Sequence, residues 1–119
     1  MPEDAGLIWV NSKITRPNDV SARDFLSFYA DSHVPDVVQV PGFKSAAVYK
    51  ANASDAERPY LILYRLSDMK ASDSEKLHEL FAQEDVISMR EKGNFDIREY
   101  EPVHSFEEEG AKSGMRAAC

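Results

Sequence analysis

Among the three histidines of this 119-residue chain, His33 stands where chemistry is easiest to imagine. It closes the run Phe25-Leu-Ser-Phe-Tyr-Ala-Asp-Ser-His33, with Phe25, Tyr29 and His33 at i, i+4 and i+8 on one helical face. Histidine titrates near neutrality, so it can take a proton as general base and return it as acid. Tyr29, one turn earlier, can donate its hydroxyl to an enolate or carbonyl oxygen. The same pattern admits a purely structural role, in which the imidazole satisfies free carbonyls at a helix end. Asp36, three residues on, can orient the ring or cap the next turn.

Further donors are Tyr49, Tyr60 and Tyr64, each equally able to pack with its hydroxyl in water. Trp9, Phe25, Phe28, Phe43 and Tyr64 are the candidate walls of a pocket. Asn11 shares a strand face with Trp9 and brings an amide. His78 falls on the outer side of a helix, and His104 at the end of the last strand. No Cys/His cluster of metal-ligand spacing occurs, no Gly-rich phosphate loop, and no Gly-x-Ser-x-Gly elbow. The expectation is an enzyme without a cofactor or a metal.

These residues need elements to hold them. Leu7–Thr15 reads as a strand, with Ile8, Val10 and Ile14 on one face and Trp9, Asn11 and Lys13 on the other. Ser21 can cap a first helix, supported by Asp24 and by a Val20–Phe25 staple. Pro35 predicts a kink or break after His33, then a short turn to Val40 and a Pro41-Gly42 corner. Phe43–Ala51 reads as a second strand, with Phe43, Ser45, Ala47 and Tyr49 on one face. A polar loop, 52–58, leads to a third strand from Pro59 to Leu66, apolar on both faces near its middle. Ser72 with Glu75 reads as a capping box for a second helix carrying Leu77, Leu80, Phe81, Ile87 and Met89. Gly93 is expected to end that helix as a left-handed cap. Phe95–Ser105 is the last strand.

The order β-α-β-β-α-β predicts an α+β, ferredoxin-like domain over residues 1–106: a four-stranded antiparallel sheet with both helices on one face. Residues 107–119 read as an acidic, flexible tail. The helices leave one sheet face bare although it carries bulky side chains. Pairing two such faces in a twofold homodimer would cover it.

The bulk numbers narrow the partners. A formal charge of −7 gives no cationic footprint for nucleic acid or an anionic membrane. Hydrophobic content of 43% against 29% charged residues is that of an ordinary globular domain, and no apolar run has the length of a membrane span. The acidic N-terminus lacks signal-peptide features, and the single cysteine, Cys119, suits a reducing compartment. A cytoplasmic protein is expected.

Taken together, Phe25-x-x-Phe28-Tyr29-x-x-x-His33-Val34-Pro35-Asp36, then Pro41-Gly42-Phe43 and Ala46 or Ala47 with Tyr49, resembles the EthD-like branch of the dimeric α+β barrel superfamily. The opening Leu-Ile-Trp-Val-Asn-Ser-Lys is similar to first strands of that branch, and the likeness spans roughly residues 7–106. The resemblance implies a homodimer with a cavity between helices and sheet in each protomer. It also implies a role in chemistry for His33. The activities it implies are a set: cofactor-free monooxygenation, haem degradation, polyketide cyclisation, dehydration, decarboxylation and lactone isomerisation. An Asn, a Trp and a His around one cavity resemble the cofactor-free oxygenases, although there the Trp belongs to a different element.

The leading expectation is proton-transfer chemistry (dehydration, cyclisation or decarboxylation) on a hydrophobic, enolisable or aromatic substrate of polyketide type. His33 would be the base, with Tyr29, Tyr49 or Asn11 on the developing oxygen anion. The alternatives are a cofactor-free monooxygenase and a non-catalytic dimer that binds an apolar small molecule.

Overall fold

The computed structural model describes residues 4–106; the expected tail, 107–119 with Cys119, lies outside the described residues. Strand β1 (Gly6–Ile14) leads through the Arg16–Val20 turn to helix α1 (Ala22–Phe28), a π turn (Tyr29–His33) and helix α2 (Val34–Val38). Strands β2 (Phe43–Lys50) and β3 (Tyr60–Leu66) follow. A 3-10 turn (Met69–Asp73), helices α3 (Glu75–Phe81) and α4 (Glu84–Arg90), and strand β4 (Gly93–Tyr100) complete the fold. The sheet order is β2-β3-β1-β4, with every neighbouring pair antiparallel. This is the expected ferredoxin-like arrangement.

Alternation within the strands separates the two faces. Ile8, Val10 and Ser12 on β1 pair with Tyr64, Ile62 and Tyr60 on β3, and this set faces the helices. Tyr60, Ile62, Tyr64 and Leu66 are all buried there, against Phe25, Val34, Val37 and Leu77. Trp9, Asn11, Leu61 and Leu63 point the other way, onto the face without helices.

Several local expectations are corrected. Pro35 does not break the chain's helical path, which continues to Val38. The ring has no N–H and would crowd the carbonyl four residues back. The turn before it widens instead, so that the Val34 N–H donates to the Tyr29 carbonyl and Pro35 falls in the first turn of α2. On β2, a register shift at Lys44, between Phe43 and Ser45, sends Phe43 to the helix face and Tyr49 to the opposite one.

The cap of α3 is Ser74, whose Oγ accepts from the Leu77 N–H at 3.3 Å. Ser72 instead donates to the Met69 carbonyl within the 3-10 turn. The expected second helix is also split at Gln83, whose ψ of 141° is extended. Gly93 is not a left-handed cap: it begins β4, where a Cβ would sit 3.0 Å from the Lys13 carbonyl and 3.2 Å from Phe25. The left-handed glycine is Gly42, at φ +100° in the Pro-Gly corner. Strand β4 ends at Tyr100, and residues 101–106 run on without regular structure.

Ser21 caps α1 as expected, its Oγ accepting from the Asp24 N–H at 3.1 Å.

Candidate functional site

A cavity of about 660 Å³ lies between the helices and the sheet. Its floor is Val10 on β1, Ile62 and Tyr64 on β3, and Phe95 and Ile97 on β4. Its walls are Tyr29 and His33 from the π turn, Phe81 from the end of α3, and Ile87 and Arg90 from α4. The π turn therefore delivers both leading sequence candidates to one cavity. Ile87 and Ile97 are 41% and 61% exposed, which places the mouth between α4 and β4.

His33 is 5% exposed, and its ring is packed among aromatics. Phe28 lies parallel to it at 6.1 Å and 9°, Tyr29 meets it edge-on at 5.6 Å, and Phe81 is tilted against it at 5.3 Å. Burial lowers its pKa below the usual 6.5; Asp36 and Asp85 partly oppose this, and Arg90 adds to it. At neutral pH the imidazole is therefore uncharged, which is the form a general base requires. Asp36 itself is exposed and acts on His33 through space.

The Tyr29 hydroxyl is buried and has no hydrogen-bond partner in the structure. Burial pushes its pKa well above the ordinary phenol value, so it remains a proton donor. Tyr64, on the floor, is shifted the same way, first by burial and second by the nearby Tyr29. A base and two un-ionised phenols thus border one largely apolar space.

The other sequence candidates divide into two groups. Phe25, Phe28 and Phe43 support the site without bordering the cavity. Phe25 packs on Tyr29 at 5.0 Å, Phe28 stacks on His33, and Phe43 meets Tyr64 edge-on at 5.6 Å. Trp9, Asn11 and Tyr49 are not brought to the cavity at all; they lie on the opposite sheet face. The Asn11 amide is engaged there, donating to the Arg58 and Tyr60 carbonyls at 3.1 and 3.0 Å. Trp9 lies under the Arg98 guanidinium at 5.3 Å, and Tyr49 is 51% exposed. Tyr60 is core, packed on Phe25. His78 is a surface residue 3.2 Å from Asp73, and His104 rests against Phe106.

Arg90 is not singled out by the sequence, and Phe81 reads there only as part of the second helix's apolar stripe. Phe81 sits four residues past Leu77 on the apolar stripe, and that spacing was its signal. Arg90 ends α4 as an ordinary surface cation would, so nothing marked it. Among the described residues, no group of three or more His, Cys, Asp or Glu is arranged to hold a metal ion. Nor is any helix there long and apolar enough to cross a membrane.

No protein-family model matches the chain, and no curated protein matches it in sequence. Solved structures do. SnoaB, a cofactor-independent oxygenase from Streptomyces nogalater, aligns over 89% of this chain and 100% of its own, with a TM-score of 0.56 and 16% identity. A dimeric ferredoxin-like protein from an uncultured marine organism aligns over 90% and 95%, with a TM-score of 0.64 and 12% identity. A second dimeric ferredoxin-like protein of marine origin gives 0.62 at 13% identity, over 87% and 100%. At these identities the likeness is one of architecture. The chain shares the ferredoxin-like fold of these proteins.

Proposed function

We propose that the protein is a cofactor-independent enzyme that removes a proton from an apolar, enolisable or phenolic substrate. The observation that carries this reading is the pairing of a neutral, buried His33 with the unpartnered Tyr29 hydroxyl at one cavity. His33 takes the proton. Tyr29, with Tyr64, donates hydrogen bonds to the oxygen on which the negative charge develops. Phe81, Phe95 and Ile97 exclude water and hold the substrate's ring system. His33 then returns the proton to the alkoxide formed when the enolate closes a ring, or to the hydroxide expelled when it loses water. Where the proton comes from a β-keto acid's carboxyl, loss of carbon dioxide forms the enolate and His33 protonates its carbon.

Deuterium exchange tests this directly, because it reads the first step whatever follows it. In heavy water the protein should speed incorporation of deuterium at the α-carbon of 2-tetralone, followed by NMR. A His33→Ala variant should lose that acceleration. An exchange rate equal for the two proteins would remove His33 from the mechanism.

A second reading is supported by the likeness to SnoaB, a cofactor-independent oxygenase. There the same carbanion meets dioxygen in place of a proton. Oxygen uptake with anthrone, yielding anthraquinone and water, would favour this outcome; turnover that continues without oxygen would exclude it.

The protein is further proposed to work as a homodimer joined through the helix-free sheet face. Leu7, Trp9, Leu61, Leu63 and Ala47 lie on that face, and two of the structural neighbours are described as dimeric. EthD-like chemistry in a cytoplasmic setting remains the context this reading fits best.

A further inference from the structure

Arg90 is the cationic side chain on the cavity wall, and the mechanism above gives it nothing to do. Its guanidinium lies over the face of Phe81, 5.7 Å from the ring centroid, and Phe81 in turn packs on His33. Among the described residues no carboxylate comes within ion-pair distance of it. Glu91, the next residue, also borders the cavity but is exposed and makes no ion pair with it. A positive charge in the last turn of α4 complements the helix dipole, which accounts for a cation at this position. It does not account for a flat guanidinium held at the mouth of an apolar cavity by an aromatic face.

Tyr29 lines the same cavity, and its hydroxyl is buried in the wall with no protein partner. A buried hydroxyl left unpaired is costly, and an oxygen from a ligand would satisfy it. The cavity thus offers one charged donor at its mouth and one neutral donor within, separated by aromatic surface. The chain as a whole carries a formal charge of −7, so its general field repels anions. A preference for an anion would have to come from Arg90.

We infer that the ligand of this cavity is an apolar ring compound bearing one carboxylate. Arg90 holds the carboxylate at the mouth, and Tyr29 receives a second oxygen of the same molecule inside. The inference rests on the reading of this cavity as the substrate site and supplies that reading with a substrate class.

Isothermal titration at pH 7.5 with 6-hydroxy-2-naphthoate, whose hydroxyl lies across the ring system from the carboxylate, and its neutral carboxamide tests it. The two probes share one ring system and hydroxyl, and the carboxamide replaces the anionic group presented to Arg90 by a neutral one of similar size. The protein should bind the carboxylate about ten-fold more tightly than the amide, a size suited to an exposed guanidinium. Arg90→Gln should bring the two affinities within about two-fold while leaving the amide's unchanged, and Arg90→Lys should keep part of the preference. Equal binding of both probes by the unaltered protein, or a preference that survives Arg90→Gln, would overturn the assignment. His33→Gln should retain the preference. Enolisation that persists in His33→Gln with the preference intact would therefore count against His33 as base and leave the carboxylate subsite standing.

Discussion

Tyr29 and His33 meet edge to face, ring planes 89° apart and centroids 5.6 Å apart, across the π turn that joins them. In a regular α-helix the two would stand one above the other on a common stripe. The extra residue in the turn rotates them relative to each other while keeping both on the cavity wall. One phenol and one imidazole then address the same small volume from different angles. That is what a donor and a base acting on neighbouring atoms of one molecule require.

His33→Gln should lower turnover by about 10²–10⁴, the range of a lost general base. Under the proposed mechanism the unaltered protein should keep its activity from neutral pH down past 6.5, because burial lowers the pKa of His33 below that value. Stability follows the same group. The unfolded chain takes up a proton on this histidine near pH 6.5, before the folded protein does, so acidification favours unfolding. The stabilisation from the neutral imidazole is complete above that pH and is lost as pH falls toward the folded pKa. Thermal melts between pH 7.5 and 5 should show this decline, and His33→Gln should flatten it.

Tyr29→Phe separates catalysis from packing. The hydroxyl has no partner, so its removal costs no hydrogen bond and relieves a buried polar group. The melting temperature should stay the same or rise. Turnover should fall by about ten-fold or more if the hydroxyl steadies developing charge. A drop in both would mean that the ring is held by a contact the hydroxyl makes.

Much of this was legible in the sequence, and the exceptions have physical causes. The Ser21 cap, the alternation of Tyr60, Ile62, Tyr64 and Leu66, and the corner at Pro41-Gly42 follow from local rules that packing did not override. The π turn was hidden because periodicity places Tyr29 and His33 on one face whether the turn is wide or normal. Tyr49 was misplaced by one bulged residue, Lys44, which leaves no mark in a strand pattern. Asn11 and Trp9 were assigned to the correct strand face, but not to the face that holds the cavity. Arg90 lies beyond Gln83, which breaks the second helix and redirects its remainder. No local motif announces that break.

The helix-free sheet face gives a prediction of its own. Leu63 lies on β3 between Trp9 on β1 and Ala47 on β2, at the centre of that face. Leu63→Glu would place a charge where the partner's sheet should rest, and an unpaired charge is not tolerated in such an interface. Sedimentation at micromolar concentration should give a dimer for the unaltered protein. The variant should give a monomer with unchanged far-ultraviolet circular dichroism. A monomer in both cases would rule out the proposed assembly.

Gly42→Ala tests the corner that turns the helical arm back into the sheet. At φ +100° an alanine is strained, and its Cβ would lie 2.6 Å from the Cβ of Ala71 and 3.3 Å from the Asp68 carbonyl. Neither contact involves the free end of a long side chain, so the backbone itself must shift. The Gly42 carbonyl also accepts from the Ser67 N–H at 2.8 Å, and a shift would pull on the end of β3. The expected cost is about 2 kcal/mol, or roughly 5–10 °C in melting temperature. β2 contributes no residue to the cavity, and Tyr29 and His33 lie on the far side of α2. Activity per folded molecule at low temperature should therefore be unchanged. A variant that melts normally but has lost activity would show that the corner, and not the π turn alone, sets the position of His33.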